Sequence, residues 1–299
     1  MDYSLYHDES KIDGFWHGIL LVPNSKKKEL LELLGTVRKN TKFSYEIGIK
    51  KVKNKKGKIT NCAEGFLNVG IASLISQNKN LKYPIDLMHT NNGIKEYKQI
   101  IPNIGTKFIL FREKNNLKKV ENYPDYGSFI ETSFRIGLKG GIHFLGNNEN
   151  EINITKMHFD GHEHYGRKLD KRRIIDRLNG LRNYCNIENT TNLIDDRNSN
   201  HNNANSQSYI DCQFLQLTDL LIGAFRSNLG FETKDIHRKI GIQTKDLIEK
   251  YRKGNVRMQN SRWNNSFCLS QCELSNQGWK FEHLDFNPKK TIKQFELEL

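Results

Sequence analysis

The sequence predicts an α/β protein in which a mixed β-sheet is covered by helices on both faces. Three observations carry that reading. Two short strand-like segments, YSLYHD at 3–8 and FWHGILLV at 15–22, open the chain. Helical patterns then intervene between further strand-like runs. Finally, CQFLQLTDLLIGAFRSNL at 212–229 shows the clearest helical periodicity in the protein.

The elements follow in order. The polar link between the first two strands contains Gly14, and Pro23 with Asn24 stops the second. A helix is expected from about 25 to 39, where Leu30, Leu33, Leu34 and Val37 recur at helical spacing. FSYEIGIKKV at 43–52 returns to strand character, and the lysine-rich run around Asn54 and Gly57 predicts an exposed turn at 50–58. A second helix covers 62–76, and strands near 83–89 and 106–112 flank a short helix near 94–101. A helix at 127–138 precedes the strand INITKMHF, which leads into Asp160. A charged helix at 170–184 buries Ile174, Ile175, Leu178 and Leu181, and the strand NLIDD follows. RNSNHNNANSQS has nothing to bury and reads as a polar loop. Beyond residue 230 one amphipathic helix is expected at 243–252, with loops and short strands around Trp263 and Trp279. The organisation predicted is a core domain at 1–229 and a C-terminal extension at 230–299.

Lys+Arg of 47 against Asp+Glu of 34 gives a net charge of +13 and a pI near 9.4. Such a surplus favours a polyanionic partner, nucleic acid being the commonest, through counterion release. No apolar run reaches the length of a membrane span, and MDYSLYHDES lacks the basic and apolar regions of a secretion signal. Five scattered cysteines read as reduced thiols of a cytoplasmic protein.

Chemistry is suggested by three carboxylates. Asp8 ends a strand that is otherwise core-like, and Glu9 follows it. Either the strand simply ends in water, or two carboxylates carry a desolvation cost that something compensates. Asp160 ends another strand and precedes Gly161, His162, Glu163 and His164, a pattern that also suits an Asp-Gly turn. On the late helix, Gln216, Asp219, Gly223 and Arg226 form one narrow polar stripe beside Phe214, Leu217, Leu221 and Phe225. Asp219 there is either an ion-pair partner of Arg226 or Arg177, or a functional carboxylate. His162 or His164 could assist proton transfer or contact a phosphate, or serve only as polar turn residues.

In their order, DES at 8–10, the strand-terminal Asp160 and LQLTDLLIGAFR at 215–226 resemble the family catalogued as domain of unknown function 3800. That family is placed among the ribonuclease-H-like nucleases and transposase-related proteins, and the resemblance spans about residues 3–229. Lys11, Ile12 and Asp13 intervene before Gly14, where the family has Gly sooner, and Thr218 replaces the usual Ala. The resemblance implies a ribonuclease-H-like mixed sheet flanked by helices. It also implies Mg²⁺- or Mn²⁺-dependent cleavage of DNA or RNA phosphodiesters, in the setting of prokaryotic antiphage defence and a partner protein there.

Oxygen-rich sites take such ions, and a pair of them suits in-line phosphodiester cleavage. Asp8 is the expected bridging ligand, with Asp160 and Asp219 each favouring one ion. Glu9 and His162 are further catalytic candidates, and Gln216 and Glu46 are expected in supporting positions. Nucleic-acid contacts are expected from Lys50, Lys51, Lys53, Lys55, Lys56, Lys58 and Arg226, although the lysine turn could equally be a solvated tip. The rival is a non-catalytic nucleic-acid-binding or complex-forming subunit with this fold. No Walker-type glycine loop and no Gly-x-Ser-x-Gly elbow are present.

Overall fold

The computed structural model describes residues 1–54, 56–75, 84–86, 98–100, 104–114, 126–145, 152–160, 170–178, 185–187, 193–197, 207–231, 234–238, 241, 267–275 and 278–284. The first half contains β1 (Asp2–Ser10), β2 (Phe15–Pro23), α1 (Lys27–Thr41), α2 (Lys58–Ile75), β3 (Pro84–Asp86), β4 (Lys98–Ile100), β5 (Lys107–Glu113) and α3 (Tyr126–Leu145). The second half contains β6 (Asn153–Asp160), α4 (Lys171–Leu178), β7 (Asn186–Ile187), β8 (Ile194–Arg197), α5 (Gln207–Asn228), β9 (Phe267–Ser275) and β10 (Gly278–His283).

One mixed sheet of eight strands runs β10-β9-β5-β2-β1-β6-β7, with β8 also paired to β6. The central strand β1 is antiparallel to β2 and parallel to β6. It is buried on both faces, which its run of Tyr, Leu and Tyr permits. Two apolar clusters result. Tyr6, Leu20 and Val22 join α1, α2 and α5 on one face, and Leu5, Ile19 and Leu21 join α3, α4 and β6 on the other. Gly18 allows α5 to lie close against β2, since a Cβ there would meet Ile222 Cγ1 at 2.2 Å.

Several expectations are corrected. Segment 43–52 is not a strand: residues 42–48 are irregular and Ile49–Lys51 forms one 3₁₀ turn. Ile47, Ile49 and Val52 are buried against the helices, so the apolar alternation marks a docked segment instead of a sheet partner. The short helix expected near 94–101 is replaced at its end by β4, which pairs with β3 in a separate two-stranded sheet. α5 begins at Gln207, inside the stretch read as a polar loop. β9 and β10, within the stretch assigned to the C-terminal extension, belong to the central sheet. β9 runs parallel to β5 and covers its edge, and Leu269 and Leu284 enter the larger core cluster. The helix expected at 243–252 lies outside the described residues. Among the described residues no helix is long and apolar enough to cross a membrane.

Candidate functional site

Strand alternation decides which side chains can meet. In β1, Asp8 is opposite Gly18 and Glu9 is opposite His17. Gly18 abuts Ile222 of α5, whereas His17 bonds to Ser133 of α3, so Asp8 faces α5 and Glu9 faces the other side of the sheet. The parallel register of β1 and β6 pairs Tyr6 with His158 and His7 with Phe159, which brings Asp160 alongside Asp8 on the α5 face. Asp219, in the middle of α5, completes the group.

The three carboxylates act on one another electrostatically. Asp8 is 8% exposed, and its carboxyl is pushed well above the usual range by burial first, then by repulsion from Asp219 and Asp160. The Glu9 backbone N–H, donating to Asp8 Oδ1 at 2.7 Å, offsets part of this. Asp219 is also raised by burial, while the Ile49 N–H, Lys50 and Arg226 pull it back and Asp160 opposes them. Asp8, Asp160 and Asp219 therefore feel one another across the gap between β1, β6 and α5. Among the described residues, no group of three or more His, Cys, Asp or Glu side chains is spaced to grip a metal ion.

The polar stripe of α5 has a use that its spacing alone does not reveal. Gln216 Oε1 accepts the Ile47 N–H at 3.1 Å, and Asp219 Oδ2 accepts the Ile49 N–H at 2.7 Å. One turn further, Gly223 leaves room for the Ile49 side chain, where a Cβ would meet Cγ1 at 2.4 Å. Alternate backbone N–H groups of segment 47–49 thus bond to side chains of α5 as they would to a neighbouring strand. Lys50, the next residue, is exposed beside Asp219. Glu46 pairs with Lys51 at 2.6 Å, so two of the expected site residues engage each other.

Arg226, expected to reach nucleic acid, is fully buried: it donates to Ser10 Oγ at 2.6 Å and lies over the Trp16 ring. The stripe that carries it faces the sheet, so its charge supports the site from beneath. Lys53, Lys56 and Lys58 are exposed, as expected of that turn. His162, His164 and Lys55 lie outside the described residues.

Two groups of residues at the site escaped sequence reading. Arg38 of α1 is buried and donates to Gln213 Oε1, to Gln216 Oε1 at 2.7 Å, and to the carbonyls of Phe43 at 3.3 Å and Tyr45 at 2.8 Å. Asp211 of α5 accepts the Tyr6 hydroxyl at 2.9 Å and lies 3.4 Å from His158 Nε2. The Tyr6 and His158 rings stack with centroids 4.8 Å apart. Tyr6 and His158 precede Asp8 and Asp160 by two residues each, so this buried contact fixes α5 against both acid-bearing strands. The glutamines that Arg38 reaches and the partners of Asp211 are distant in sequence and leave no local pattern, so no sequence signal marks either group.

Compared with protein-family models, curated proteins and solved structures, the chain matches none.

Proposed function

We propose that this chain is a metal-dependent nuclease with a ribonuclease-H-like fold. The observation that carries the reading is the approach of Asp8, Asp160 and Asp219, from a central strand, its parallel neighbour and a late helix, close enough for repulsion from the other two to raise the buried Asp8. A binder of polyanions gains nothing from mutually repelling carboxylates held partly out of water. A site that compensates this charge with divalent cations does.

The donor set fits Mg²⁺ or Mn²⁺: all three groups offer hard oxygen, and the repulsion raising Asp8 is the charge surplus that a cation relieves. The carboxylates would have to draw closer to ligate, because they are not spaced for it as they stand. Bound there, such ions supply Lewis-acid stabilisation of the attacking and leaving oxygens of a phosphodiester. The chain's own residues hold Asp219 through the Ile49 N–H and Asp8 through the Glu9 N–H, fix the strands of Asp8 and Asp160 against α5 through Asp211, and place the Lys50 ammonium beside Asp219 to meet a phosphate. Hydrolysis adds the water oxygen to phosphorus and leaves the proton on the departing 3′ oxygen. Participation in antiphage defence belongs to the same proposal.

The test is cleavage of labelled single- and double-stranded DNA and RNA with Mn²⁺ or with chelator. Asp8→Asn, Asp160→Asn and Asp219→Asn should each abolish metal-dependent cleavage while the protein stays folded. Binding by the wild type without cleavage of any of the four substrates would instead make the chain a nucleic-acid-binding subunit.

A further inference from the structure

The segment between α1 and the 3₁₀ turn holds an aromatic ring in solvent on a rigid mount. Tyr45 is 69% exposed, one of the few large hydrophobic side chains so placed among the described residues. Its backbone is nevertheless fixed. Phe43 N–H donates to the Arg38 carbonyl at 3.1 Å, and the Arg38 guanidinium returns bonds to the carbonyls of Phe43 and Tyr45. The Phe43 ring meets the Tyr45 ring edge-on with centroids 5.8 Å apart. Arg38 is itself buried and bonds only to uncharged groups in these contacts, so a desolvated cation is spent on fixing this short segment.

The same segment runs into the acidic site. From Tyr45 to Ile49, whose N–H bonds to Asp219, four residues span at most about 14 Å. Lys50 follows, and Lys53, Lys56 and Lys58 continue an exposed cationic track. A ring exposed to solvent, a few residues ahead of a run of exposed lysines, suits unpaired bases: an aromatic platform stacks them and the lysines meet the phosphates. In a duplex the bases are already stacked on one another and offer no face to the ring.

We propose that Tyr45 is a base-stacking platform that selects single-stranded nucleic acid, with Lys50 holding the adjoining phosphate at the acidic site. This deepens the nuclease reading by naming its substrate class, and it rests on that reading only for the site to which the strand is led.

Binding is measured in EDTA, where no cleavage occurs, with fluorescent single-stranded oligonucleotides, a duplex, an abasic single strand and inorganic polyphosphate. Tyr45→Ala should weaken single-strand binding about fivefold or more, with Tyr45→Phe close to wild type. The duplex, the abasic strand and polyphosphate should change less than twofold in Tyr45→Ala. Melting curves check that both variants fold, as an exposed position permits. Unchanged single-strand affinity in Tyr45→Ala overturns the proposal, as does an equal loss for the abasic strand. A wild type that cleaves nothing but shows this pattern would end the nuclease reading and leave the platform standing.

Discussion

Asp219 Oδ2 accepts the backbone N–H of Ile49 at 2.7 Å, so one carboxylate both faces the acidic site and clamps the segment that carries Lys50 and Tyr45. The clamp depends on Gly223, one turn along α5, and substitution there sets two effects against each other. Gly→Ala in a helix interior gains about 1 kcal/mol. Against this, the new Cβ would stand 2.4 Å from Ile49 Cγ1 and 2.8 Å from its Cβ, and overpacking of this kind costs about 1–3 kcal/mol. The backbone bond from Ile49 to Asp219 limits how far Ile49 can shift. Gly223→Ala should therefore lower the urea midpoint, and Gly223→Ala with Ile49→Ala should cost less than the sum of the single changes. An additive double mutant would separate Gly223 from the clamp.

Arg38 supplies the other half of the mount. Its planar fork reaches two glutamines and two carbonyls, a set that a lysine cannot span. Arg38→Lys should cost about 1–3 kcal/mol, because acceptors such as Gln213 Oε1 lose a donor in a buried setting. Amide exchange should accelerate at Ile47 and Ile49 and stay unchanged in β1. Unchanged exchange at those two amides would show that α5 alone holds the segment.

Lysine substitutions should divide by geometry. Lys50, Lys53, Lys56 and Lys58 are exposed, while Lys51 is tied to Glu46. Each of the four changed to Ser should reduce the log–log salt slope of nucleic-acid binding by about 0.7–0.9 if it contacts a phosphate. Lys51→Ser should change it less. An unchanged slope in the fourfold variant would make this turn a solvated tip.

The sequence exposed the elements whose periodicity is local and hid those built from distant partners. Asp8 and Asp160 stood out as acids ending buried strands, and Asp219 as a carboxylate set in an apolar helix. Arg226 was misplaced because a cation on a polar stripe looks solvent-facing, whereas this stripe meets Ser10 and segment 47–49. Glu9 was grouped with Asp8 through adjacency, although the two-residue period of a strand already sends neighbours to opposite faces. Segment 43–52 resembled a strand because Ile47 and Ile49 alternate, but side chains of α5 took the place of a strand's backbone acceptors. The place of β9 in the sheet has no local signal, because its partner β5 lies 159 residues earlier and such parallel pairing is not encoded locally.

The pH dependence of stability separates the acidic site from a second buried network beneath it. Ser133 Oγ donates to the carbonyls of Phe129 and Ile130, so it accepts from His17 Nε2–H; His17 Nδ1 then accepts from His7 Nε2–H at 2.8 Å. Burial pushes the His17 pKa down to about 3. Between that value and the unfolded one, about 6.5, the unfolded chain binds more protons, so His17 makes the protein less stable as pH falls through this window. The cost grows by about 1.4 kcal/mol per pH unit below the unfolded pKa, an order-of-magnitude figure. Asp8 works in the opposite sense. Its folded pKa is raised, so its contribution is fully present below about 4 and is lost as pH rises through the folded value. Metal-free melting temperatures from pH 4 to 8 should therefore rise through the histidine window against a decline from Asp8. His17→Phe should flatten the rise, at the cost of a pH-independent loss because His7 Nε2–H loses its bond to His17. Asp8→Asn should remove the decline and raise the melting temperature at pH 8 more than at pH 4. Mn²⁺ should stabilise the wild type at pH 8 and have little effect on Asp8→Asn. If Asp8→Asn lowers the metal-free melting temperature at pH 8 and Mn²⁺ leaves the wild type unmoved, the three carboxylates are structural and the proposed site is lost.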